Sequence, residues 1–260
     1  MTYKTILFQK ADGIATVSLN RPDSLNALNS TVYSELYDVF ESIENDDDVR
    51  VVVLTGSGEK AFAAGSDVVE MQNMNTLEIQ KFVDTIRKAS DRIYTLTKPT
   101  VAAIHGYALG GGCELSMCCD LRICSEKARF GQPEINLGLI PGACGTQRLP
   151  RLIGVAKAKE MIFLGDMIKA DEAYRLGLVN KVVPPESLMD EAMDIAKKLA
   201  GKSGPILAMA KMAINTGIDT DITSGLNTEA RCLALCFATE DQKAGMKAFV
   251  EKEKVEFKHK

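Results

Sequence analysis

Short apolar runs alternate with amphipathic stretches along most of this chain. Ile14–Leu19 alternates in part between apolar and polar side chains. Val49–Thr55 is β-branched and stops at Gly56, while Thr100–Gly106 follows Lys98-Pro99 and ends in glycine. Leu121–Cys124 and Val179–Val183 have the same character. Apolar runs of this length, bounded by turn-forming residues, predict buried strands. Ser30–Asn45 differs. Its apolar residues fall at positions 32, 36, 39, 40 and 43, the spacing of one helical face, with Asn29 or Ser30 as the cap. Leu77–Leu96 and Ala156–Leu164 repeat that helical pattern. Strands interleaved with helices predict an α/β fold.

From Ser187 onward the pattern changes. Leu188–Gly201, Pro205–Thr216, Ile222–Ala238 and Asp241–Val255 all favour helix, and strand patterns stop. Leu226, Leu233, Leu235, Phe237 and Phe249 exceed what a surface helix needs. They are either core or a face turned toward another subunit. Neither a low-complexity segment nor an internal repeat stands out.

At 260 residues the chain suits one large domain, or a core with a smaller appendage. Its 46% hydrophobic and 25% charged residues are ordinary globular values. No apolar run is long enough to predict a membrane-spanning helix. Met1–Lys10 lacks the apolar stretch of a signal peptide and the Arg/Ser bias of a transit peptide, so the expected location is cytoplasmic. A net charge of −4 argues against general nucleic-acid binding. The seven cysteines include Cys113, Cys118 and Cys119, whose spacing suits no zinc knuckle, and His105 and His259 are far apart. No metal site is expected. The thiols read as buried and reduced. Cys144, in a glycine-containing loop, is the thiol to test for reactivity, although packing is the favoured role there too.

Three segments carry candidate chemistry. In Gly110-Gly111-Gly112-Cys113-Glu114, three glycines open a helix and an acid follows. Glycine lets a ligand approach the backbone, and a helix start offers free N–H groups. Such a place stabilises negative charge, including charge that develops in a transition state. The segment fits neither a phosphate-binding P-loop nor the spaced glycines of a dinucleotide site. Close helix packing is the alternative. In Lys60–Val68, small residues form a loop with close access to backbone amides, or a tight turn capped by Asp67. In Phe130-Gly131-Gln132-Pro133-Glu134, a glutamate sits among apolar residues, where desolvation raises its pKa toward a range useful for acid–base work. The alternative is an ion pair, with Arg148 as its partner.

Taken together, these segments resemble the crotonase (enoyl-CoA hydratase/isomerase) superfamily. The likeness runs from Leu19-Asn20-Arg21-Pro22 and Leu25-Asn26-Ala27-Leu28 through Ala63–Asp67, Gly110–Glu114, Phe130–Glu134 and Gly145-Thr146-Gln147-Arg148-Leu149. It continues through Ala170–Ala173 and Gly177–Val179 to Thr239–Lys243 and Ala248–Lys252. The resemblance implies an α/β crotonase-like spiral of repeated β-β-α units over residues 1–190. A C-terminal α-helical trimerisation region, 191–260, would follow, giving a homotrimer or a dimer of trimers.

It also implies an acyl-CoA thioester substrate and no separate cofactor, because the substrate carries coenzyme A. Backbone N–H groups of Ser66 and Gly111 would form an oxyanion hole; most hydratases resemble Gly-Ala-Asp where this chain has Gly65-Ser66-Asp67. Ala27, Ala64, Ser66, Asp67, Val68, Gly110, Pro133 and Gly142 match substrate-binding positions. Phe249 and Lys252 match positions that approach the coenzyme A of a neighbouring subunit. Glutamates at both 114 and 134 resemble the hydratase branch, with Glu114 activating water and Glu134 protonating carbon 2. The implied reaction is reversible addition of water to a short trans-2-enoyl-CoA, such as crotonyl-CoA, in fatty-acid or butanoate metabolism. The competing readings are another superfamily activity, such as an enoyl-CoA isomerase or a hydratase of a branched or cyclic acyl group, and a non-catalytic RNA-binding member.

Overall fold

The computed structural model describes residues 3–260. Strands β1 (Ile6–Ala11) and β2 (Ile14–Leu19) form an antiparallel hairpin. Helix α1 (Ser30–Glu44) follows, with the Asn29 side chain accepting the Val32 N–H as its cap. A pattern then repeats three times. Strands β3 (Val51–Gly56) and β4 (Ala61–Ala63) lead to α2 (Val68–Met71) and α3 (Thr76–Thr95). Strands β5 (Thr100–Ile104) and β6 (Tyr107–Leu109) lead to α4 (Gly111–Ser116). Strands β7 (Leu121–Ser125) and β8 (Arg129–Gly131) lead to α5 (Gly145–Ile153) and α6 (Val155–Leu164). Next come β9 (Met167–Lys169), α7 (Ala170–Arg175), β10 (Lys181–Val183) and α8 (Leu188–Ala200). The chain closes with α9 (Gly204–Ile218), α10 (Ile222–Cys236) and α11 (Glu240–Glu251).

Each repeat sends its first strand to one sheet and its second to another. The larger sheet runs β1-β2-β3-β5-β7-β10, and the smaller runs β4-β6-β8-β9. From β2 to β10 the larger sheet is parallel, and β4, β6 and β8 are parallel to one another. This is the expected spiral of β-β-α units.

The long strands and helices stand within a few residues of their expected places. Five strands were not read from the sequence: β1, β4, β6, β8 and β9. Strand β1 buries Ile6 and exposes its other five residues, so it has no apolar alternation. The other four are three residues long, too short to show a period. Ala61–Ala63 therefore corrects the expected loop: its first part is strand β4, and the loop begins at Ala64.

Strands β3 and β5 are buried on both faces, as parallel strands covered by helices are. On one face Leu36, Val39, Phe40 and Ile43 of α1 join the main core with Val52 and Leu54. On the other, Val51, Val53 and Val101 meet Leu188, Ala192 and Ala196 of α8. Helices α9 to α11 bury little: α10 buries Gly225 and Cys232, and α11 buries Asp241 and Ala248. Leu233, Phe237, Phe249 and Val250 are exposed. Among the described residues, no helix is long and apolar enough to cross a membrane.

Helix α4 lies directly on β4. A Cβ at Gly112 would fall 2.0 Å from the Ala63 carbonyl oxygen, a contact no rotamer relieves. Gly112→Ala must push α4 off β4. The expected loss is about 1–3 kcal/mol, the usual range for overpacking. Urea unfolding checks it: the midpoint falls while the slope holds.

Candidate active site

The smaller sheet explains why distant residues meet. Ser66 follows β4, Gly111 follows β6 and Glu134 follows β8. These three strands are parallel neighbours, so their carboxyl ends deliver the three residues to one edge. Ligands in open α/β sheets gather at that kind of edge.

Ser66 is held by backbone. The Leu28 N–H donates to the Gly65 carbonyl at 2.9 Å, and the Asp67 N–H donates to the Leu28 carbonyl at 2.9 Å. Leu28 thus grips both neighbours of Ser66 and turns the Ser66 amide the other way. The Asp67 side chain accepts the Val69 N–H and caps α2. It also pairs with Arg21 at 2.9 Å, and Arg21 donates to the Ala27 carbonyl at 2.6 Å.

Gly111 is the first residue of α4, so its N–H has no helical acceptor. A Cβ there would lie 2.9 Å from Ser66 Oγ and 3.3 Å from the Ser66 amide nitrogen. The two amides are therefore side by side, and among the described residues neither has an acceptor. Such a pair can hold one oxygen that gains negative charge. Gly110 precedes them with φ of +48°, a conformation that favours glycine.

Glu114 sits one turn into α4 and is 2% exposed. Its Oε1 accepts three N–H groups, from Ala143 at 2.9 Å, Cys144 at 2.8 Å and Gly145 at 2.7 Å. These amides lead into the N-terminus of α5, the positive end of that helix. Burial holds the Glu114 pKa above the ordinary carboxylate range, and the three N–H groups and the Arg148 charge offset only part of that rise.

Glu134 lies in the single 3-10 turn Pro133–Leu137 after β8. Burial, and then the charge of Glu114, push its pKa up to about 7. Gln132, fully buried, donates its amide nitrogen to both Glu134 oxygens at 3.1 and 3.3 Å. A Cβ on Gly110 would lie 2.9 Å from Glu134 Oε1, so the carboxyl is beside the glycine turn. Among the described residues Glu134 forms no ion pair, and Arg148 instead stacks 3.9 Å over the Tyr94 ring.

A cavity of about 300 Å³ joins these groups. Of the residues expected from sequence, Ala64, Ser66, Val68, Gly110, Gly111, Glu114, Pro133, Glu134 and Gly142 line it. Ala27 and Asp67 do not. They brace the Ser66 loop through Arg21. Phe249 and Lys252 are also outside it, with Phe249 86% exposed on α11 and Lys252 at that helix's C-terminal end. Sequence reasoning missed the apolar wall that α3 supplies through Ile79, Phe82, Val83 and Ile86. It also missed Gln132 and the amide cradle around Glu114. The wall had a signal, because these residues share one face of an expected amphipathic helix.

The profile of the enoyl-CoA hydratase/isomerase family matches residues 9–260. The chain is 50% identical to a protein of Clostridium acetobutylicum named short-chain-enoyl-CoA hydratase, over 98% of each chain. It is 46% identical to a crotonyl-CoA hydratase of Syntrophomonas wolfei, over 99% of each. The crystal structure of an enoyl-CoA hydratase from Bacillus anthracis superposes with a TM-score of 0.95 at 42% identity, covering 99% of this chain and 100% of that one. This chain belongs to the enoyl-CoA hydratase/isomerase family.

Proposed function

We propose that this site adds water reversibly across the C2–C3 double bond of a short trans-2-enoyl thioester of coenzyme A, giving the 3-hydroxyacyl thioester. The carrying observation is the pair of carboxyls on one cavity, both raised by burial but differently hydrogen-bonded. Glu114 is braced as an anion by three N–H donors. Glu134 is pushed toward its protonated form by burial and by the charge of Glu114. The names of the two bacterial relatives favour short acyl chains.

The thioester carbonyl accepts from the amides of Ser66 and Gly111. This draws electrons from C3 and makes it electrophilic. Glu114 takes a proton from water while the oxygen bonds to C3. Charge moves to the thioester oxygen as an enolate, where losing one such donor costs about 3 kcal/mol. Glu134 then gives its proton to C2. Both carboxyls reach the cavity from the same sheet edge, which supports syn addition. In dehydration each step runs backward. Water addition is redox-neutral, so the reaction needs no cofactor beyond the coenzyme A of the substrate.

The same reading includes a homotrimer or dimer of trimers built through residues 191–260. The exposed apolar side chains of α10 and α11 support it. Ala27 and Asp67 act on the substrate through the loop they brace, and Phe249 and Lys252 act on a neighbour's coenzyme A. The setting is cytoplasmic, in fatty-acid β-oxidation or butanoate metabolism.

Glu114→Gln and Glu134→Gln should each lower turnover of crotonyl-CoA by about 10²–10⁴, the range for losing an acid or base. Acyl-CoA binding should persist. Loss of the enoyl-thioester absorbance measures turnover, and near-normal hydration in either variant refutes the two-acid assignment.

The pH dependence follows from Glu134. Its pKa is raised to about 7 and its protonated form does the work. Hydration is therefore greatest just below that value, falls about tenfold per unit above it, and falls again at acid pH once Glu114 is protonated and cannot act as the base. A turnover profile across neutral pH checks this. The residual rate of Glu134→Gln should lack the alkaline fall.

A further inference from the structure

Two thiols outside the proposed chemistry converge on one of its residues. Cys118 lies just past α4, and Cys144 is the N-terminal cap of α5. The Cys118 thiol donates to the Glu114 carbonyl oxygen at 3.3 Å, and the Cys144 thiol donates to the same oxygen at 3.4 Å. The two sulfurs therefore lie against one and the same oxygen. Cys144 serves the site a second time, because its N–H is one of the three donors on Glu114 Oε1.

The other cysteines differ. Burial pushes the thiols of Cys113, Cys119 and Cys124 up to about 12, as it does for inert core sulfurs. Cys118 is shifted down, by the hydrogen bond from Cys144 and by the Arg148 charge, although it is buried. Cys144 is shifted up by the same hydrogen bond. Cys118 is thus the more readily ionised of the two and Cys144 the less. Cys232 and Cys236 are neighbours along α10, and Cys236 bonds the Cys232 carbonyl rather than its sulfur.

We propose that Cys118 and Cys144 form a reversible disulfide on exposure to a peroxide, and that the bond shuts the site by drawing the start of α5 off the Glu114 carboxylate. The chemistry is complete with hydrogen peroxide as oxidant. The Cys118 sulfur attacks one peroxide oxygen, the O–O bond breaks, and the departing hydroxide takes up the thiol proton as water. Cys118 is then a sulfenic acid. The Cys144 sulfur attacks it, the S–O bond breaks, and a second water leaves with the Cys144 proton. Two electrons from the two sulfurs reduce one peroxide to two waters.

Cys118 is fully buried and neither cysteine lines the cavity, so peroxide reaches the pair past Ala143 and Cys144. Hydrogen peroxide is close to water in size and polarity, and Glu114 and Ala143 line the cavity to which the proposed reaction brings water. Cys144 is half-buried beside Ala143. Closing the S–S bond to about 2 Å requires the sulfurs to leave hydrogen-bond distance and approach. Cys144 must move with its amide, so the cradle on Glu114 loosens. The loss of activity rests on the hydratase reading, whereas the cross-link does not.

The test treats the full-length protein with hydrogen peroxide, quenches with catalase, and reads three quantities. Intact mass should fall by about 2 Da, the two hydrogens of a disulfide. A non-reducing tryptic map should contain a peptide linked through Cys118 and Cys144. Crotonyl-CoA hydration should drop at least about tenfold, the scale for misplacing a catalytic group, and dithiothreitol should restore it. Cys118→Ser and Cys118→Ala, each compared with its own untreated sample, should lose the reversible inhibition. If treated protein carries no such linked peptide, or carries it and still hydrates at the untreated rate, the proposal is overturned. Should either variant fail to fold, the map of the unaltered chain decides alone. An untreated protein with no hydratase activity would count against the functional reading, while the map would still report on the thiol pair.

Discussion

Three amide N–H groups on one oxygen of Glu114 hold this site in its working shape. A carboxylate with 2% exposure is costly to keep, by several kcal/mol if unpaired. Hydrogen bonds to a charged group return about 1.5–3 kcal/mol each, so three are of the same order as that cost. The bond set also fixes geometry. Glu114 belongs to α4 and the donors lead into α5, so the two helices cannot move apart without exposing an unsatisfied charge. Gly145 is part of the fit, since a Cβ there would come within 3.0 Å of Glu114 Oε1.

Short α4 therefore serves the site twice within its first turn. Its first amide, on Gly111, faces the Ser66 amide, and its first turn carries the anchored glutamate. Three consecutive glycines let it do so for three separate reasons. Gly110 takes a positive φ beside Glu134, Gly111 leaves room for Ser66, and Gly112 lets α4 rest on the backbone of β4. A side chain at any of the three would disturb a different contact.

Much of this was legible in the residues, and what was not has a physical reason. Long apolar runs gave the strands of the larger sheet, and the 3.6-residue spacing gave α1, α3 and the helical C-terminus. The smaller sheet escaped because β4, β6, β8 and β9 are each three residues long, below the length at which alternation shows. Its three-fold repeat escaped for the same cause: the units share strand placement, not residue pattern. Glu114, Glu134 and the glycine block were visible because their chemistry is in their side chains. The cradle of Ala143, Cys144 and Gly145 was not, because any residue but proline has an N–H. Phe249 and Lys252 were read from resemblance, and the single chain places them away from the cavity.

The same sheet edge yields two carboxyls of unlike character, and the difference comes from what each strand end is followed by. After β6 the chain enters a helix, which carries Glu114 inward until it meets the start of α5. After β8 the chain makes one 3-10 turn, which leaves Glu134 beside Gly110 with Gln132 as its donor. Oε1 of Glu114 is occupied by three N–H donors, which leaves Oε2 to take the proton from water. Glu134 has the Gln132 side-chain amide as its donor and no backbone cradle of that kind, and burial with the charge of Glu114 favours its protonated form. Hydration needs one group that accepts a proton from water and another that gives one to C2. Here that division is set by backbone placement before any substrate binds.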